Sequence, residues 1–407
     1  MATRYNAELL GVPFPSRFRL LIAVVGFGII GAGAWTAYRR FDTPKPIPFP
    51  TSAQTLASRD GAIRVVPVVD GLTSPWSVAF LPGGDMLVTE RVGRLRLVQN
   101  GVLHPNPIAG TPAVFANNQG GLLDVVLHPD FADNKLVYFT YAISGDRGNT
   151  AALGRGRLDG HALASVEQLF VADAWSRTEE RHFGSRLAFA TDGTLFMTVG
   201  ERNDRHRAQN TFDHAGKVLR LNDDGSVPAD NPFAERLDVR PEIFSYGHRN
   251  PQAVTRHPLT GAIWATEHGP KGGDELNLIL PARNYGWPVV TFGVEYSGLS
   301  ISPDSARNGL QSPATHWTPS IALSGMDFYT GDRFPTWRGD LLVTGLSGKR
   351  VERVRLTNGV AEKQETLLTE LGLRMRDVRE GPDGFVYVIT DGSGAGILRI
   401  EPVNGGR

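Results

Sequence analysis

The feature that most constrains this chain is a hairpin that recurs six times after about residue 60. Each copy joins a short apolar strand, a turn carrying Pro or Gly, and a second apolar strand. The copies are Trp76–Glu90, Leu123–Asp130 with Lys135–Tyr141, Arg186–Gly200, Pro251–Glu267, Gly325–Phe328 with Gly339–Thr344, and Arg376–Thr390. Alternating β-branched and aromatic residues between turn formers mark hairpins. Such a unit cannot bury both faces alone and must stack on its neighbours. Closing the stack into a ring removes exposed edges. The repeats therefore predict an all-β fold, a six-bladed β-propeller of four-stranded antiparallel blades over residues 61–403. An early strand near Ile63–Val69 is expected to pair near Ile397–Ile400 and shut the ring. Wider spacing around the third to fifth copies predicts long loops on one face. A two-sheet sandwich is the competing all-β reading, which six like hairpins disfavour.

Before the repeats stands an N-terminal hydrophobic segment. Arg17 and Arg19 precede an uncharged stretch, Leu20–Tyr38, and Arg39 and Arg40 follow it. About 19 apolar or small residues just cross a bilayer core of about 30 Å. The alternative is a cleaved secretory signal, with an apolar centre at Leu20–Ile30 and a small-residue site at Ala32-Gly33-Ala34. A buried globular helix fits less well, because no polar face interrupts the stretch. The expected plan is a short tail at 1–16, a signal anchor or signal peptide at 17–40, and a Pro-rich linker at 41–60. Everything beyond would be exported, to the periplasm or outside the cell, and held at the membrane if the segment is uncleaved. The formal net charge of zero argues against a nucleic-acid partner held by phosphate neutralisation. With no cysteine, disulfides and thiolate metal sites are excluded.

Three stretches are too polar, and too rich in Gly and Pro, to serve only as strand connections. In Arg181–Ser185, His182 stands at a blade entrance, where a neutral imidazole could accept a proton from a substrate hydroxyl. From the residues alone, a strand cap is the simpler reading. In Gly247–Gln252, Arg249 offers a planar cationic fork suited to an oxyanion or carboxylate, or to a surface ion pair. In Glu267–Glu275, with Asn284–Pro288 beyond, irregular backbone exposes carbonyls while Asp274 and Glu275 add hard oxygens. That set suits calcium. A solvated acidic loop is the alternative. Arg374 and Arg376 alternate on a strand and so share a face, where an anion between them would relieve their repulsion. No phosphate-binding loop, dinucleotide fingerprint, zinc helix or nucleophile elbow is found.

Taken in order, these stretches resemble the soluble aldose sugar dehydrogenases that use pyrroloquinoline quinone (PQQ), a family that includes soluble glucose and sorbosone dehydrogenases. The motifs are Gln119–Leu123 with His128–Phe131, Arg181–Arg186, Gly247–Gln252, His268–Pro270 with Asp274–Asn277, Asn284–Pro288, and Arg374–Val378. The resemblance implies PQQ- and calcium-dependent oxidation of an aldose to a lactone, with His182 as general base. It implies that Arg249 and Asn250 contact the quinone, and that carbonyls of Gly269 and Pro270 hold its calcium. Gln119, Arg374 and Arg376 match other sugar- or cofactor-contacting positions. Asp274, Glu275 and the Tyr285 region match a second, structural calcium site. An external electron acceptor, a quinone or cytochrome, would complete the cycle. Two departures stand out. Arg181 replaces the acid that precedes the base in soluble glucose dehydrogenases. The family's cofactor lysine falls nearest Ser347, which leaves Lys349 as its substitute. A calcium-dependent propeller lactonase and a non-catalytic binding propeller are the rival functions.

Overall fold

The computed structural model describes residues 47–357 and 359–403, so the N-terminal hydrophobic segment lies outside the described residues. Six antiparallel sheets follow one another around an axis, at 75–103, 122–171, 187–246, 251–317, 323–367 and 375–402. We number these blades 1 to 6. Their innermost strands are Pro75–Phe80, Leu122–Leu127, Leu187–Phe189, Pro251–Arg256, Leu323–Phe328 and Met375–Glu380. These are the opening strands of the six sequence repeats.

The ring closes as the pattern predicted. Strand Gly61–Thr73 pairs with Ser393–Pro402, placing Val65 opposite Ile400 and Val69 opposite Ile397. One point of the expected plan changes. Gln54–Ser58 is not spacer but a fifth, outermost strand of blade 6, with Gln54 opposite Val65 and Ser58 opposite Gly61. Gly61 adopts φ +125, which lets the chain reverse tightly after Asp60.

In blades 1, 2 and 3 a threonine of the second strand ties the blade to the next one. Inner strands carry β-bulges, as between Pro75 and Ser77, Leu122 and Val125, and Leu323 and Met326. A bulge leaves a backbone N–H without its ladder partner. Thr89 Oγ1 accepts the freed Ser77 N–H and donates to Leu123 O of the next blade, at 3.1 and 2.5 Å. Thr140 does the same between Asp124 N–H and Ser185 O, at 3.0 and 2.6 Å. Thr198 links Arg186 N–H to Pro251 O, at 2.9 and 3.0 Å.

The axis itself is filled by charge. Arg186 is 1% exposed. Its Nη1 donates to Asp124 Oδ1 and Asp377 Oδ2, both at 3.1 Å. Nε and Nη2 donate to Gln252 O and Trp76 O, and the guanidinium lies 4.0 Å from the Trp76 ring centroid. Removing one partner of a buried ion pair leaves the other charge uncompensated. Arg186→Ala should lower the unfolding free energy by about 3–5 kcal/mol in chemical denaturation. A loss no larger than that of an exposed pair would show that the axis does not depend on this group.

Candidate functional site

Above Arg186, at the end of the axis where the first strands begin, lies a cavity of about 300 Å³. Trp76, Gln119, Phe183, Asn250, Gln252, His268, Arg91, Arg374, Arg376 and Asp391 line it. Its volume is at the lower end of the range for small-molecule and cofactor sites.

Three of the lining side chains are guanidinium groups and one is a carboxylate. Arg374 Nε reaches Asp391 Oδ2 at 2.8 Å, and Arg376 Nη2 reaches Oδ1 at 3.0 Å. The repulsion between the paired arginines is therefore relieved by a residue of the chain itself, which corrects the expectation that relief needs a bound anion. Burial pushes the Asp391 carboxyl up, but Arg376 and Arg374 outweigh it and bring it to about 2. One carboxylate cannot neutralise Arg91, Arg374 and Arg376 together. The surplus positive charge suits a polyanionic ligand.

His182 is buried beside this cavity, 6% exposed, with φ +54. Its backbone N–H donates to Gln119 Oε1 at 2.8 Å. Its ring Nδ1 meets Glu201 Oε2 at 2.5 Å. A carboxylate can only accept, so Nδ1 carries the proton and Nε2 keeps a free lone pair. Burial lowers the His182 pKa; Glu201 opposes this, while Arg249 and Arg181 add to it. The outcome is a neutral imidazole at pH 7 in a fixed orientation, as a general base requires.

Arg249 links this base to the loop after Glu267. Its Nη1 donates to the carbonyls of His268 and Gly269, at 3.1 and 3.0 Å. Its own carbonyl accepts from Glu201 N–H at 2.8 Å. Asn250 Oδ1 accepts from Gln252 Nε2 and Gly184 N–H, at 3.2 and 3.3 Å. Burial, with Arg249 beside it, drives the His268 imidazole down to about 3, so this second histidine is also neutral.

Beside Arg249 is a much smaller void of about 10 Å³, lined by Glu267, Glu275, Gly269, Tyr285 and Thr291 among others. Glu267 and Glu275 face each other across adjacent strands. Burial, then the Glu267 charge, raises the Glu275 pKa well above the usual carboxylate range. Two carboxylates around a space the size of one small ion fit a hard cation.

Residues 72–399 match the glucose/sorbosone dehydrogenase family. The chain belongs to that family. It is 40% identical to the aldose sugar dehydrogenase YliI of Escherichia coli over 364 residues, which is 88% of this chain and 98% of that one. The apo crystal structure of the soluble E. coli aldose sugar dehydrogenase matches with a TM-score of 0.81, over 84% of this chain and all (100%) of its own. The PQQ-bound aldose sugar dehydrogenase of Streptomyces coelicolor matches with a TM-score of 0.69 and 28% identity, over 87% and 99%.

Within this family frame, the structure gathers Gln119, His182, Arg249, Asn250, Gly269, Arg374 and Arg376 around one hub. Lys349 is not among them. It sits exposed, with φ +52, in the turn after Leu346, and Leu346 lines the cavity instead. The two-residue offset from Ser347 preserves a face only on a strand, and here the chain is turning. Asp274 is also committed elsewhere. Its oxygens accept from Gly269, Ile321 and Ala322 N–H and from Ser320 Oγ, at 2.8–2.9 Å. That makes it a clamp on the backbone, against the expectation of a metal ligand. The Tyr285 hydroxyl donates to Leu278 O and accepts from Leu280 N–H, so only its ring borders the void. Pro270 follows Gly269 in the same loop.

Sequence reasoning missed Glu201, Glu267, Asp391 and Arg91. Glu201 can be tested without any ligand. Glu201→Gln removes an influence that raises the His182 pKa, so the ring should titrate at still lower pH by NMR. An unchanged or higher titration point would show that the two groups are not in contact.

Proposed function

We propose that this chain oxidises aldose sugars at the anomeric carbon to lactones, with PQQ as the bound electron acceptor and calcium beside it. The observation that carries the reading is the neutral, oriented imidazole of His182 at the edge of a cavity with surplus positive charge. A rigid tricarboxylate with an ortho-quinone matches a cradle of Arg91, Arg374 and Arg376 that Asp391 only partly neutralises. The names of the E. coli and Streptomyces relatives support the substrate class and the quinone. Glu275, with the Gly269 carbonyl, supplies the donors we assign to calcium near the hub, while Glu267, whose oxygens accept from His248, Asn277 and the Arg249 N–H, adds its charge.

When bound, the quinone supplies a two-electron acceptor and calcium the Lewis acidity that polarises it. The chain's own residues do the rest. His182 Nε2 takes the proton of the sugar's anomeric hydroxyl, and Glu201 stabilises the imidazolium that forms. Arg249, pinned by two carbonyls, presents a fixed positive charge to negative charge developing near the hub. Phe183, Trp76 and Leu123 keep apolar surface around the reacting atoms, so little water competes. Export through the N-terminal segment, and delivery of electrons to an external acceptor, belong to the same proposal.

His182→Ala, reconstituted with PQQ and calcium, should still bind the quinone but lose roughly 10²–10⁴-fold in aldose-driven dye reduction. Near-normal rates in this variant would remove His182 from the mechanism. Wild-type protein that hydrolyses lactones with calcium alone, and reduces no dye, would favour the hydrolase instead. Because the base must be neutral, kcat/KM should rise with pH through a point below 6.5 and be flat at neutral pH. A limb still rising at pH 8 contradicts the assignment.

Calcium should raise the melting temperature of the apo protein by binding only the folded form, with about 2.7 kcal/mol gained at 100 times Kd. Glu275→Gln should abolish most of that shift. A calcium-dependent shift that survives in this variant would place the cation elsewhere.

A further inference from the structure

We infer that Arg202 is a positioning residue for His182, gripping the chain on both sides of it; the inference rests on the role proposed above for that histidine. Arg202 is 1% exposed and carries its charge into the protein without a carboxylate among its hydrogen-bond acceptors. Nη1 donates to Arg181 O at 2.5 Å and Nη2 to Glu179 O at 3.0 Å. Nη2 also donates to the Asn149 side-chain oxygen in blade 2. The flat face of the guanidinium covers the Phe183 ring, with Cζ 3.6 Å from its centroid. Residues 179, 181 and 183 are thus all held by one side chain, and His182 lies between them.

A buried cation solvated only by dipoles is an expensive arrangement. Burial, with Arg207 beside it, pulls the Arg202 pKa down to about 9 against the pull of the Glu201 and Glu179 carboxylates. An apolar residue would fill the space at less cost, so the guanidinium must do something that filling cannot. What it does is geometric. His182, Arg202 and Asn203 all adopt left-handed backbone, with φ +54, +60 and +56. Residues other than glycine hold that conformation only when their surroundings impose it. The Arg202 bonds to the Glu179 and Arg181 carbonyls impose it on the His182 segment.

The neighbouring residue completes the device. Glu201 holds the His182 ring at Nδ1, and its own N–H is tied to the Arg249 carbonyl at 2.8 Å. One dipeptide therefore fixes the same histidine twice: Glu201 fixes the ring and Arg202 the backbone. Arg202 does not itself line the cavity, so it acts through the residues it holds, His182 and the cavity-lining Phe183, and touches no substrate.

Arg202→Gln keeps a planar polar group but cannot span two carbonyls. In the full-length protein loaded with PQQ and calcium, quinone affinity and sugar KM should stay at wild-type values. The kcat should fall by roughly 10²-fold, the scale of a misplaced catalytic group. The His182 ring, observed by NMR in the unloaded protein, should titrate higher, toward ordinary histidine, as it leaves its buried position. Arg202→Lys retains the charge and should recover kcat only in part. Folded Arg202→Gln with unaltered kcat and unaltered His182 titration would overturn the proposal. So would a loss of quinone affinity in step with kcat, which would mark a collapse of the cavity instead. If Arg202→Gln does not fold, the same readings on Arg202→Lys decide, and wild-type values there overturn it equally. A shifted His182 titration in a protein that oxidises no sugar would keep the clamp and discard the proposed reaction.

Discussion

A ring of sheets leaves a hole along its axis, and in this protein a single guanidinium closes it. Arg186 stands at the start of blade 3 and reaches Trp76 in blade 1, Asp124 in blade 2, Gln252 in blade 4 and Asp377 in blade 6. Blade 5 approaches by having no side chain at the contact, since a Cβ on Gly325 would stand 2.0 Å from Asp377 Oδ1. The fork shape matters here. A lysine would supply the charge but not directed bonds to four blades. Trp76 and Gln252, which Arg186 holds from below, also line the cavity above it. The depth and floor of the site are consequently set by the same contacts that close the ring.

Above that floor, the site separates charge of opposite sign over a short distance. Arg91, Arg374 and Arg376 give one side a positive surplus, while Glu267 and Glu275 crowd negative charge on the other. Arg249 stands between them, sharing the smaller void with the two glutamates and donating to the carbonyls of the loop. Each half is poorly balanced by the chain alone. An anionic ligand and a hard cation, bound next to each other, would neutralise both halves at once. This complementarity supports one composite ligand rather than two independent sites.

Much of this was legible in the sequence, for a physical reason. Hairpins with period-two alternation are local signals, so blade number, inner strands and the closing strand at Gly61–Thr73 could be read directly. The threonines Thr89, Thr140 and Thr198 also lay in view within the second strands, although their bridging role emerges only when blades stack. The acids were harder. Glu90, Glu201, Glu267 and Asp391 all fall at or just past the site end of a second strand, in blades 1, 3, 4 and 6. Each then fixes a cation or a histidine: Arg94 and Arg96, His182, His248, and Arg374 with Arg376. Read singly, each looks like a solvated turn. Read as a repeat position they form a ring of anchors, and that positional reading would have found three of the missed residues. Lys349 failed for the converse reason. A register argument that holds on a strand was applied to a turn, where side chains do not alternate.

The ring of acids also explains how one fold can keep a base neutral beside several cations. Desolvation is the largest influence on His182, and it favours the uncharged ring; Arg249 and Arg181 push the same way. Glu201 alone pulls back. Without it the imidazole would be uncharged but free to turn, and its lone pair would have no defined direction. With a bare carboxylate and no burial, it would be oriented but protonated through much of the physiological range. Orientation and neutrality thus come from opposing sources, and only a buried pair supplies both. The cations that make room for an anionic ligand also keep the base uncharged until a proton is transferred to it.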